Sequence, residues 1–403
     1  MKILLITATY YPSANGVAVA VKNLFEELKR QGHDVYLLAP GNSLKTKDPR
    51  GLIRYLSIPN PVIKDYPIGL FPLNSQIIKL LTEKKFDIVH AHHPFQVSFM
   101  ADIVSAFNKA PFIYTYHTYI GKYLKLYLNF LPIKIVKIIA EYTGSGVLKK
   151  ADLIIVPSNS VKKNVEKLGA SGEITVIPTG IPKFKPPSLS KIKLRKKYKL
   201  PQNKKILLCV TRVAKEKNIK LLLKMMKIMP NKYYLVVVGT GPQIGDLQTS
   251  SDKEKISSRV KFLGKIDYSE ISEAYCLADI FVFPSITETQ GVVFLEASYF
   301  GLPIVAVESQ VNREWVNSGL GYITKNNPES FKSAIFNVSK KSGFYSKNAR
   351  NFAEKYTIEK TTRALVNAYE EAIKKWRPRR TFDFNIRQKL KNISKYMGKM
   401  ITS

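Results

Sequence analysis

Short apolar runs of strand type alternate with amphipathic stretches of helical period along most of this 403-residue chain. In the first half the strand-like runs are KILLIT, DVYLLAP, DIVHAHH, FIYTYHT, DLIIVPS and ITVIPTG. After the first run, VAVAVKNLFEELKRQG predicts an amphipathic helix that ends at Gly32. The pattern restarts in the second half with KILLCVT, YYLVVVG, VKFLG, DIFVFP and PIVAV. This alternation predicts an α/β protein with parallel sheets.

A proline- and lysine-rich stretch separates the two series of strands and starts after Pro182. It predicts an interdomain linker together with the first helix of a second domain. We therefore expect Rossmann-like, doubly wound domains over residues 1–182 and 183–372, followed by a basic amphipathic tail over residues 373–403. Two such domains facing a cleft would bind ligands outside the carboxyl ends of their strands.

The charge balance is strongly basic, because 64 Lys and Arg face 30 Asp and Glu, for a net charge of +34. This balance predicts a negatively charged partner, either an anionic membrane or a nucleic acid. Cys209 and Cys276 lie far apart in apolar segments and are expected to be reduced core residues of a cytosolic protein. The N-terminal MKILLITATYYP is expected to form a buried strand rather than a signal peptide, and no apolar run is long enough to predict a membrane-spanning helix.

The segment PSITETQGVVFLEASYFGLP, residues 284–303, contains two carboxylates, Glu288 and Glu296. A buried strand is expected just before it, and a helix from about Gly291 to Phe300. A loop that enters a helix N-terminus presents free N–H groups to phosphates or sugar hydroxyls. The two carboxylates could accept hydrogen bonds from the diol of a ribose or a hexose, or they could be ordinary glutamates of a surface helix.

Three other loops could face the phosphates of a ligand. VTRVAKEKN places Arg212 and Lys217 directly after a strand, where they could neutralise a diphosphate or simply be solvated. VVVGTGP places Gly239 and Gly241 in a turn that either approaches a ligand or is merely tight, and its spacing does not continue as G-x-G-x-x-G, which argues against NAD. In YYPSANGVAVAV, Gly16 would allow a diphosphate to lie against a helix N-terminus.

Histidines follow two of the strand-like runs. YTYHT places His117 at a strand end, expected to face the cleft, although a lone histidine is more often structural. His90, His92 and His93 form a second group in DIVHAHHPF. A metal site is conceivable there, but no Cys or acidic residue accompanies the group, so we interpret it as strand-end structure, with His92 near the acceptor.

Residues 284–303, together with the loops above, resemble the signature of retaining glycosyltransferases of family 4, which have the GT-B fold. The resemblance covers about residues 1–375. It implies transfer of a sugar from a nucleotide sugar through an oxocarbenium-like ion pair, with retention of the anomeric configuration. It implies neither a bound metal nor any other cofactor.

The same resemblance implies a role for each matching residue. The catalytic residues would be His117, Glu288, Arg212 and Lys217, and the donor-binding residues would be Gly16, Gly239, Gly241, Thr289, Gln290, Gly291 and Glu296. In this arrangement the cations stabilise the departing diphosphate and Glu296 holds the ribose.

TETQG and YTYHT resemble the branch of family 4 that glycosylates diacylglycerol. Tyr123 also matches this branch, whereas Lys122 stands where the branch often has an acidic residue. The surrounding stretch has aromatic residues and lysines but no acidic residue, which predicts an interfacial helix. The residues expected to contact the acceptor or the membrane are Tyr119, Lys122, Tyr123, Lys125 and Tyr127.

Two further basic stretches favour membrane binding. The segment 185–205 carries nine Lys and Arg and no acidic residue, and the chain from Lys374 carries ten against one Asp. Apolar residues of the tail fall on one helical stripe, namely Ile386, Leu390, Ile393 and Met397. The alternative is a helix that packs on the core and presents a solvated basic face.

The resulting prediction is a peripheral enzyme at the cytoplasmic face of the plasma membrane. It would transfer glucose or galactose from a UDP-sugar to diacylglycerol or a monoglycosyl lipid, and would bind anionic lipids but no nucleic acid. One alternative is a GDP-mannose-dependent mannosyltransferase acting on a phosphatidylinositol-type lipid or a polysaccharide. Another is a basic nucleic-acid-binding protein, for which the expected fold motifs are missing, and a third is a catalytically inactive scaffold.

Overall fold

A computed structural model of the protein describes residues 1–11, 15–41, 48–60, 66–70, 77, 83–119 and 146–378. The chain forms two compact units. The first comprises Met1–Pro178 and the chain from Thr361 onward, and the second comprises Thr179–Lys360. Each unit contains a parallel sheet with helices, as the alternating pattern of the sequence predicts.

The described part of the first unit contains nine strands. They are β1 (Lys2–Ile6), β2 (Asp34–Pro40), β3 (Leu52–Tyr55), β4 (Ser57–Ile58), β5 (Ile68–Gly69), β6 (Ile88–Ala91), β7 (Phe112–Thr115), β8 (Leu153–Val156) and β9 (Glu173–Val176). Seven of them form one parallel sheet in the order β3-β2-β1-β6-β7-β8-β9, while β4 and β5 form a separate antiparallel pair. The chain therefore builds outward from β1 to β3 and then crosses to β6 on the other side of β1.

Helices connect these strands and bury their apolar faces on the sheet. Among the described residues before the second unit, these helices include α1 (Gly16–Arg30), α2 (Gln96–Asn108) and α3 (Asn159–Lys167). Asn15 caps α1, since its side chain accepts a hydrogen bond from Ala18 N at 2.9 Å. Val21 and Phe25 of α1 are buried in the core of the unit, as the helical spacing of the sequence predicts.

The second unit contains a six-stranded parallel sheet. Its strands are β10 (Lys205–Val210), β11 (Tyr233–Val238), β12 (Val260–Gly264), β13 (Ile280–Phe283), β14 (Ile304–Val307) and β15 (Gly321–Thr324). The order is β12-β11-β10-β13-β14-β15, which is the doubly wound Rossmann order. The direction of strand addition reverses between β10 and β13.

Eight α-helices lie wholly within the second unit, all of whose residues are described. They are α4 (Lys191–Lys197), α5 (Ile219–Ile228), α6 (Ile244–Lys253), α7 (Ile271–Cys276), α8 (Val292–Tyr299), α9 (Gln310–Val316), α10 (Pro328–Lys340) and α11 (Ser342–Ala353). Leu222 of α5 and Ile335 of α10 are fully buried in the core with Leu207 and Leu235 of the sheet. This core fixes β10 and β11, whose loops carry part of the candidate site.

The last described helix, α12 (Ile358–Lys375), differs from the domain boundary that the sequence predicts. We expected the second domain to run over residues 183–372. Instead, Leu365 and Tyr369 of α12 are buried in the core of the first unit, with Leu5 and Ile113. Helix α12 packs on the first unit because its apolar stripe completes the core of that unit. The local sequence pattern can indicate the stripe but not the core against which it packs.

The basic segment 185–205 is also different from the expected linker. The second unit already begins at Thr179, and α4 packs within it. Arg195 is buried and donates to Asp279 Oδ2 at 2.7 Å, while Lys191 donates to Asp279 Oδ1 at 2.7 Å. Lys197 pairs with Glu273 at 2.6 Å. Three of the nine cations in this segment therefore have acidic partners in their own unit.

The two cysteines are both free thiols, as expected, but they differ in burial. Cys209 is a free, fully buried thiol, and burial raises its pKa to about 12. Cys276 is free but only half-buried. No helix among the described residues is long and apolar enough to cross a membrane.

Candidate active site

The carboxyl ends of β10 and β13 meet where the strand order of the second sheet reverses. The chain after β10 carries Arg212 and Lys217, and the chain after β13 carries Glu288. In doubly wound sheets this is the position at which ligands bind, because the connections on either side run to opposite faces. Strand adjacency thus brings together residues that are distant in the sequence.

A lysine–glutamate pair joins the two loops. Lys217 Nζ donates to Glu288 Oε1 at 2.5 Å, and Ser285 Oγ donates to the same oxygen at 2.7 Å. The side chains of Lys217 and Glu288 are only 20% and 14% exposed, so water screens their interaction weakly. Charge-assisted hydrogen bonds of this kind hold a carboxylate in one orientation.

The loop after β10 is pinned to the loop after β13. Asn218, at φ +54°, donates from Nδ2 to Pro284 O at 3.2 Å. Arg212 Nη1 lies 3.3 Å from Glu216 Oε1, and Glu216 is buried. These contacts hold Lys217 beside the carboxylate of the other loop, while Arg212 of the same loop pairs with Glu216.

Gly239 and Gly241 follow β11 and pack directly against the loop that carries Arg212. A Cβ atom on Gly239 would lie 1.9 Å from Thr211 O, and one on Gly241 would lie 2.3 Å from Val213 O. Glycine is required here because one backbone approaches another. Contact of these glycines with a donor stays a prediction, while the described contact is structural.

Helix α8 begins next to the same loop. Gly291 precedes it at φ +72°, a conformation that favours glycine. Glu296 of α8 is 5% exposed and accepts from Tyr275 Oη at 2.5 Å and from Tyr268 Oη at 3.1 Å. Burial raises the pKa of Glu296, against the lowering effect of the two hydroxyl groups. If Glu296 binds a ribose, its carboxylate would therefore accept hydrogen bonds from the ribose in addition to those from the two tyrosines.

The side chain of Gln290 does not extend toward these charged groups. Its Oε1 accepts from Thr179 N at 2.8 Å, and its Nε2 donates to Thr179 O at 2.8 Å. It is 3% exposed. The amide predicted to bind the donor is thus engaged with the backbone, and only the main chain of Gln290 remains for that role.

In the first unit, the chain after β1 leads into the N-terminus of α1. Asn15 donates from Nδ2 to Thr9 Oγ1 at 2.7 Å and so fixes the start of the helix. A Cβ atom on Gly16 would meet nothing within 4 Å. Packing therefore does not explain why glycine occupies this position. That Gly16 allows a diphosphate to lie against the helix N-terminus stays a prediction.

Four of the five histidines lie at the carboxyl ends of β6 and β7. His92 Nδ1 lies 3.0 Å from His117 Nε2. Ala8 N donates to His93 Nδ1 at 3.1 Å, and since an amide can only donate, the neutral His93 ring carries its proton on Nε2. Within the described part of the chain, Nε2 of His92 and Nε2 of His93 are buried without a hydrogen-bond partner. Most buried polar atoms have a hydrogen-bond partner, so these two ring nitrogens call for one, such as a hydroxyl group or a water molecule.

The fourth histidine of the cluster, His90, is structural. Its Nδ1 lies 2.5 Å from Tyr369 Oη and its Nε2 lies 2.7 Å from Thr115 Oγ1. Burial lowers the pKa of His90 to about 3 and that of His117 to about 4. These rings are therefore neutral near pH 7. No group of three or more His, Cys, Asp or Glu side chains among the described residues is arranged to hold a metal ion.

Two family descriptions match consecutive parts of the chain. Residues 14–183 match the family described as Glycosyltransferase Family 4, and residues 190–360 match the family described as Glycosyl transferases group 1. The alpha-monoglucosyldiacylglycerol synthase of Streptococcus pneumoniae is 31% identical over 315 residues, which span 76% of this chain and 71% of that protein. The chain belongs to glycosyltransferase family 4.

Other comparisons agree with this assignment. This glycosyltransferase is 28% identical over 394 residues to the alpha-monoglucosyldiacylglycerol synthase of Acholeplasma laidlawii, over 93% of this chain and 98% of that protein. Its structure is similar to sucrose-phosphate synthase from Thermosynechococcus elongatus, with a TM-score of 0.75 at 20% identity over 92% of this chain and 98% of that chain. HepE from Anabaena gives a TM-score of 0.74 at 18% identity over 92% and 100% of the two chains. These structures show that the glycosyltransferase has the expected GT-B fold.

The predicted acceptor residues of the glycosyltransferase fall mostly outside the described residues. Tyr119 is described and half-buried, with its ring centroid 6.1 Å from that of Tyr116. The others, Lys122, Tyr123, Lys125 and Tyr127, lie outside the described residues, as does the tail beyond residue 378. Thr289 is described and half-buried beside Glu288.

Some residues that shape the site escaped the sequence analysis. Asn312 is fully buried in α9, and its Nδ2 donates to Ser285 O at 2.8 Å and to Val307 O at 2.7 Å. These two hydrogen bonds link the loop of Glu288 to the end of β14. Thr179 and the two tyrosines on Glu296 were likewise not predicted. No sequence signal marked Asn312, because α9 reads QVNREWV and an asparagine is not unusual among its polar residues; its burial is visible only in the structure.

Proposed function

We propose that this glycosyltransferase transfers glucose from UDP-glucose to the free hydroxyl group of 1,2-diacylglycerol, with retention of configuration. The observation that carries the proposal is the similarity to two proteins named alpha-monoglucosyldiacylglycerol synthase, one of them aligned over 93% of this chain and 98% of its own length. Galactose as the sugar, or a monoglycosyl-diacylglycerol as the acceptor, would be variants of the same reaction.

The donor end of the reaction uses the charges of the second unit. The bond between the sugar C1 and the diphosphate oxygen breaks, and Arg212 and Lys217 stabilise the negative charge that develops on the diphosphate. Glu288, held 2.5 Å from Lys217 Nζ, accepts hydrogen bonds from sugar hydroxyl groups. The acceptor oxygen attacks C1 on the same face, and its proton passes to the departing phosphate.

The acceptor end of the proposal uses the histidine cluster of the first unit. His117 is neutral near pH 7 because burial lowers its pKa to about 4. A neutral imidazole contacts hydroxyl groups by hydrogen bonds rather than by charge. We therefore propose that the acceptor hydroxyl group lies near His117, and this holds equally for diacylglycerol and for the hydroxyl acceptors of a mannosyltransferase.

We also propose that the enzyme is peripheral at the cytoplasmic face of the plasma membrane. The net charge of +34 supports binding to anionic lipids, since each cation near such a surface contributes about 1 kcal/mol. Lys191, Arg195 and Lys197 have acidic partners within the second unit, so the segment 185–205 would contribute less to this attraction than its nine cations suggest. No metal, other cofactor or nucleic acid takes part in the proposed reaction.

A GDP-mannose donor is the second candidate. It is favoured by a 26% identity over 328 residues to the GDP-mannose-dependent alpha-mannosyltransferase of Corynebacterium glutamicum, which spans 79% of this chain and 75% of that protein. The Arg212–Lys217 loop would serve either diphosphate. Only the sugar and base contacts would differ.

A donor-by-acceptor assay tests these alternatives. Purified enzyme is incubated with radiolabelled UDP-glucose, UDP-galactose or GDP-mannose, and with vesicles that contain dioleoylglycerol or phosphatidylinositol in phosphatidylglycerol. We expect label from UDP-glucose in a lipid product of dioleoylglycerol, with or without EDTA, and an α-anomeric signal in its proton NMR spectrum. A parallel binding assay compares the vesicles with oligonucleotides at increasing salt concentration.

Each alternative outcome corrects a different part of the proposal. A mannosyl product of phosphatidylinositol would establish the second candidate. A β-anomer would contradict retention, and loss of activity with EDTA would contradict the metal-free mechanism. Donor hydrolysis without a lipid product would keep the glycosyltransferase and reject the lipid acceptor.

A further inference from the structure

Gln290 makes a two-point contact with the backbone of a single residue, Thr179. Its amide accepts from Thr179 N at 2.8 Å and donates to Thr179 O at 2.8 Å. The side chain is 3% exposed, so neither hydrogen bond competes freely with water. A primary amide can accept and donate at neighbouring atoms, which a carboxylate or a thioether cannot do.

Thr179 is the residue at which the chain enters the second unit. Two residues further on, Ile181 N donates to Tyr356 O at 3.0 Å, and Ile358 N donates to Ile181 O at 2.7 Å. Helix α12 begins at Ile358, and the chain leaves the second unit two residues later. The entering and leaving segments are therefore hydrogen-bonded to each other, and Gln290 attaches the loop after β13 to this pair.

The loop that Gln290 attaches contains the candidate carboxylate Glu288 and leads into helix α8. Glu288 precedes Gln290 by two positions, and Gly291, at φ +72°, follows it and begins the turn into α8. A displacement at Gln290 should move Glu288 and the first N–H groups of α8, because only Thr289 separates Gln290 from Glu288 and only Gly291 separates it from α8. Arg212 and Glu296 are held by other contacts, to Glu216 and to two tyrosines.

We propose that Gln290 is a positioning residue, whose clamp on Thr179 fixes the loop of residues 288–291 against the entering segment and so places this loop for the donor sugar. Its side chain acts through the loop and does not touch the donor. Loss of the clamp should impair sugar transfer more than binding of the nucleotide alone. The inference rests on the donor loop of the proposed function, and it does not depend on which sugar or acceptor is used.

The first test removes both hydrogen bonds with little change in side-chain length. For Gln290→Met we expect kcat for transfer to fall roughly tenfold to 100-fold, because small displacements of reacting groups have effects of this size. We expect the Kd for UDP, measured by calorimetry, to stay within about twofold, since Arg212 and Glu296 keep their contacts. Gln310→Met is the matched control, because Gln310 is an exposed glutamine of the same unit.

The second test uses a conservative variant whose side chain can donate a hydrogen bond only when it is protonated. Gln290→Glu keeps an acceptor for Thr179 N, but the ionised carboxylate faces Thr179 O without a proton to donate. Burial and the facing carbonyl raise the pKa of the introduced group, so protonation restores the donor as the pH falls. As the pH falls from about 8.5 to about 5.5, the activity of Gln290→Glu relative to wild type should therefore rise. The relative activity of Gln290→Met should stay constant over the same range.

Several results would overturn the inference. One is a wild-type kcat in Gln290→Met, and another is a Kd for UDP that weakens as much as kcat falls, which would indicate a general structural defect. Parallel pH profiles for the two variants would also reject it. The assay uses whichever nucleotide sugar the wild-type enzyme accepts. A wild-type enzyme that uses none rejects the proposed function and this inference with it, whereas an active wild type with unaffected variants rejects only the inference.

Discussion

Lys217 and Glu288 lie 71 positions apart in the sequence and meet because β10 and β13 are neighbours in the sheet. Both are residue types that usually lie on the surface in water. Here each is mostly covered, and the carboxylate also accepts from Ser285 Oγ. Their interaction is therefore stronger than that of an exposed pair, and removing one charge leaves the other poorly solvated.

Replacing Glu288 by glutamine tests this pair. Glu288→Gln keeps the side-chain length but removes the negative charge that faces Lys217 Nζ. We expect kcat for sugar transfer to fall about 100-fold or more, as is typical when a group that orients a developing charge is lost. The measurement is steady-state transfer with the preferred donor, with circular dichroism to verify folding.

The matched control is another Lys–Glu pair of the same unit. Lys227 Nζ and Glu254 Oε2 are also 2.5 Å apart, but their side chains are 48% and 36% exposed. Exposed pairs contribute little, so Glu254→Gln should retain wild-type activity. Equal losses in the two variants, or full activity in Glu288→Gln, would show that the pair at the site has no special role.

At the scale of elements, the loop after β10 and the turn after β11 are in direct backbone contact. Gly241 lies so close to Val213 that a Cβ atom would be 2.3 Å from Val213 O. Val213 N in turn donates to Thr240 O at 2.9 Å. Arg212 lies between Thr211 and Val213, so its position depends on this contact between two turns.

The variant Gly241→Ala should separate the two turns. Because the atoms it would meet are backbone, we expect a loss of about 1–3 kcal/mol in the free energy of unfolding. We also expect weaker binding of UDP, because Arg212 moves with its loop. Urea unfolding and calorimetry with UDP measure the two effects.

Gly245 in α6 offers the control for this change. A Cβ atom on Gly245 would meet nothing within 4 Å. Gly245→Ala should therefore leave UDP binding unchanged and stabilise the helix by up to about 1 kcal/mol. If Gly241→Ala bound UDP as tightly as Gly245→Ala does, the turn after β11 would not position Arg212.

At the scale of the whole molecule, the buried histidines link stability to pH. Burial lowers the pKa of His90 and His93 to about 3 and that of His117 to about 4. The unfolded chain would bind protons near pH 6.5, where the folded protein does not. Stability from these groups is therefore complete above about pH 6.5 and is lost as the pH falls toward their folded pKa values.

We expect the free energy of unfolding to fall between about pH 7 and about pH 5, by up to about 1.4 kcal/mol per pH unit for each such histidine. Urea unfolding at several pH values measures this slope. His90→Gln should be less stable than wild type at neutral pH, because Tyr369 and Thr115 lose their partner, but its slope should be smaller by about 1 kcal/mol per pH unit.

The comparison between wild type and His90→Gln isolates the histidine from other groups. Glu296 acts in the opposite direction, because burial raises its pKa and favours the protonated form in the folded protein. It is present in both proteins and cancels in the difference between slopes. Identical slopes would mean that His90 binds a proton equally in the folded and unfolded states.

Much of the fold was predictable because strand and helix patterns are local. The eleven strand-like runs of the sequence analysis all contain observed strands, and the helix expected from Gly291 to Phe300 is observed at Val292–Tyr299. The strands β3, β4, β5 and β15 were not predicted, and in β3 Arg54 interrupts the apolar pattern. The charge of Arg54 is satisfied by Asp48 at 3.1 Å and by the carbonyl of Tyr11 at 3.0 Å, contacts that no short window reveals.

The sequence by itself determined the alternation of strands and helices, the two-part organisation, and the resemblance to a glycosyltransferase family from which the candidate site residues come. These follow from periodicity and from short motifs, which are properties of neighbouring residues. Only the tertiary structure decided that α12 completes the first core and that Gln290 binds Thr179, 111 positions away. Such pairings depend on which strands become neighbours and which polar groups are buried together, and neither is a local property of the chain.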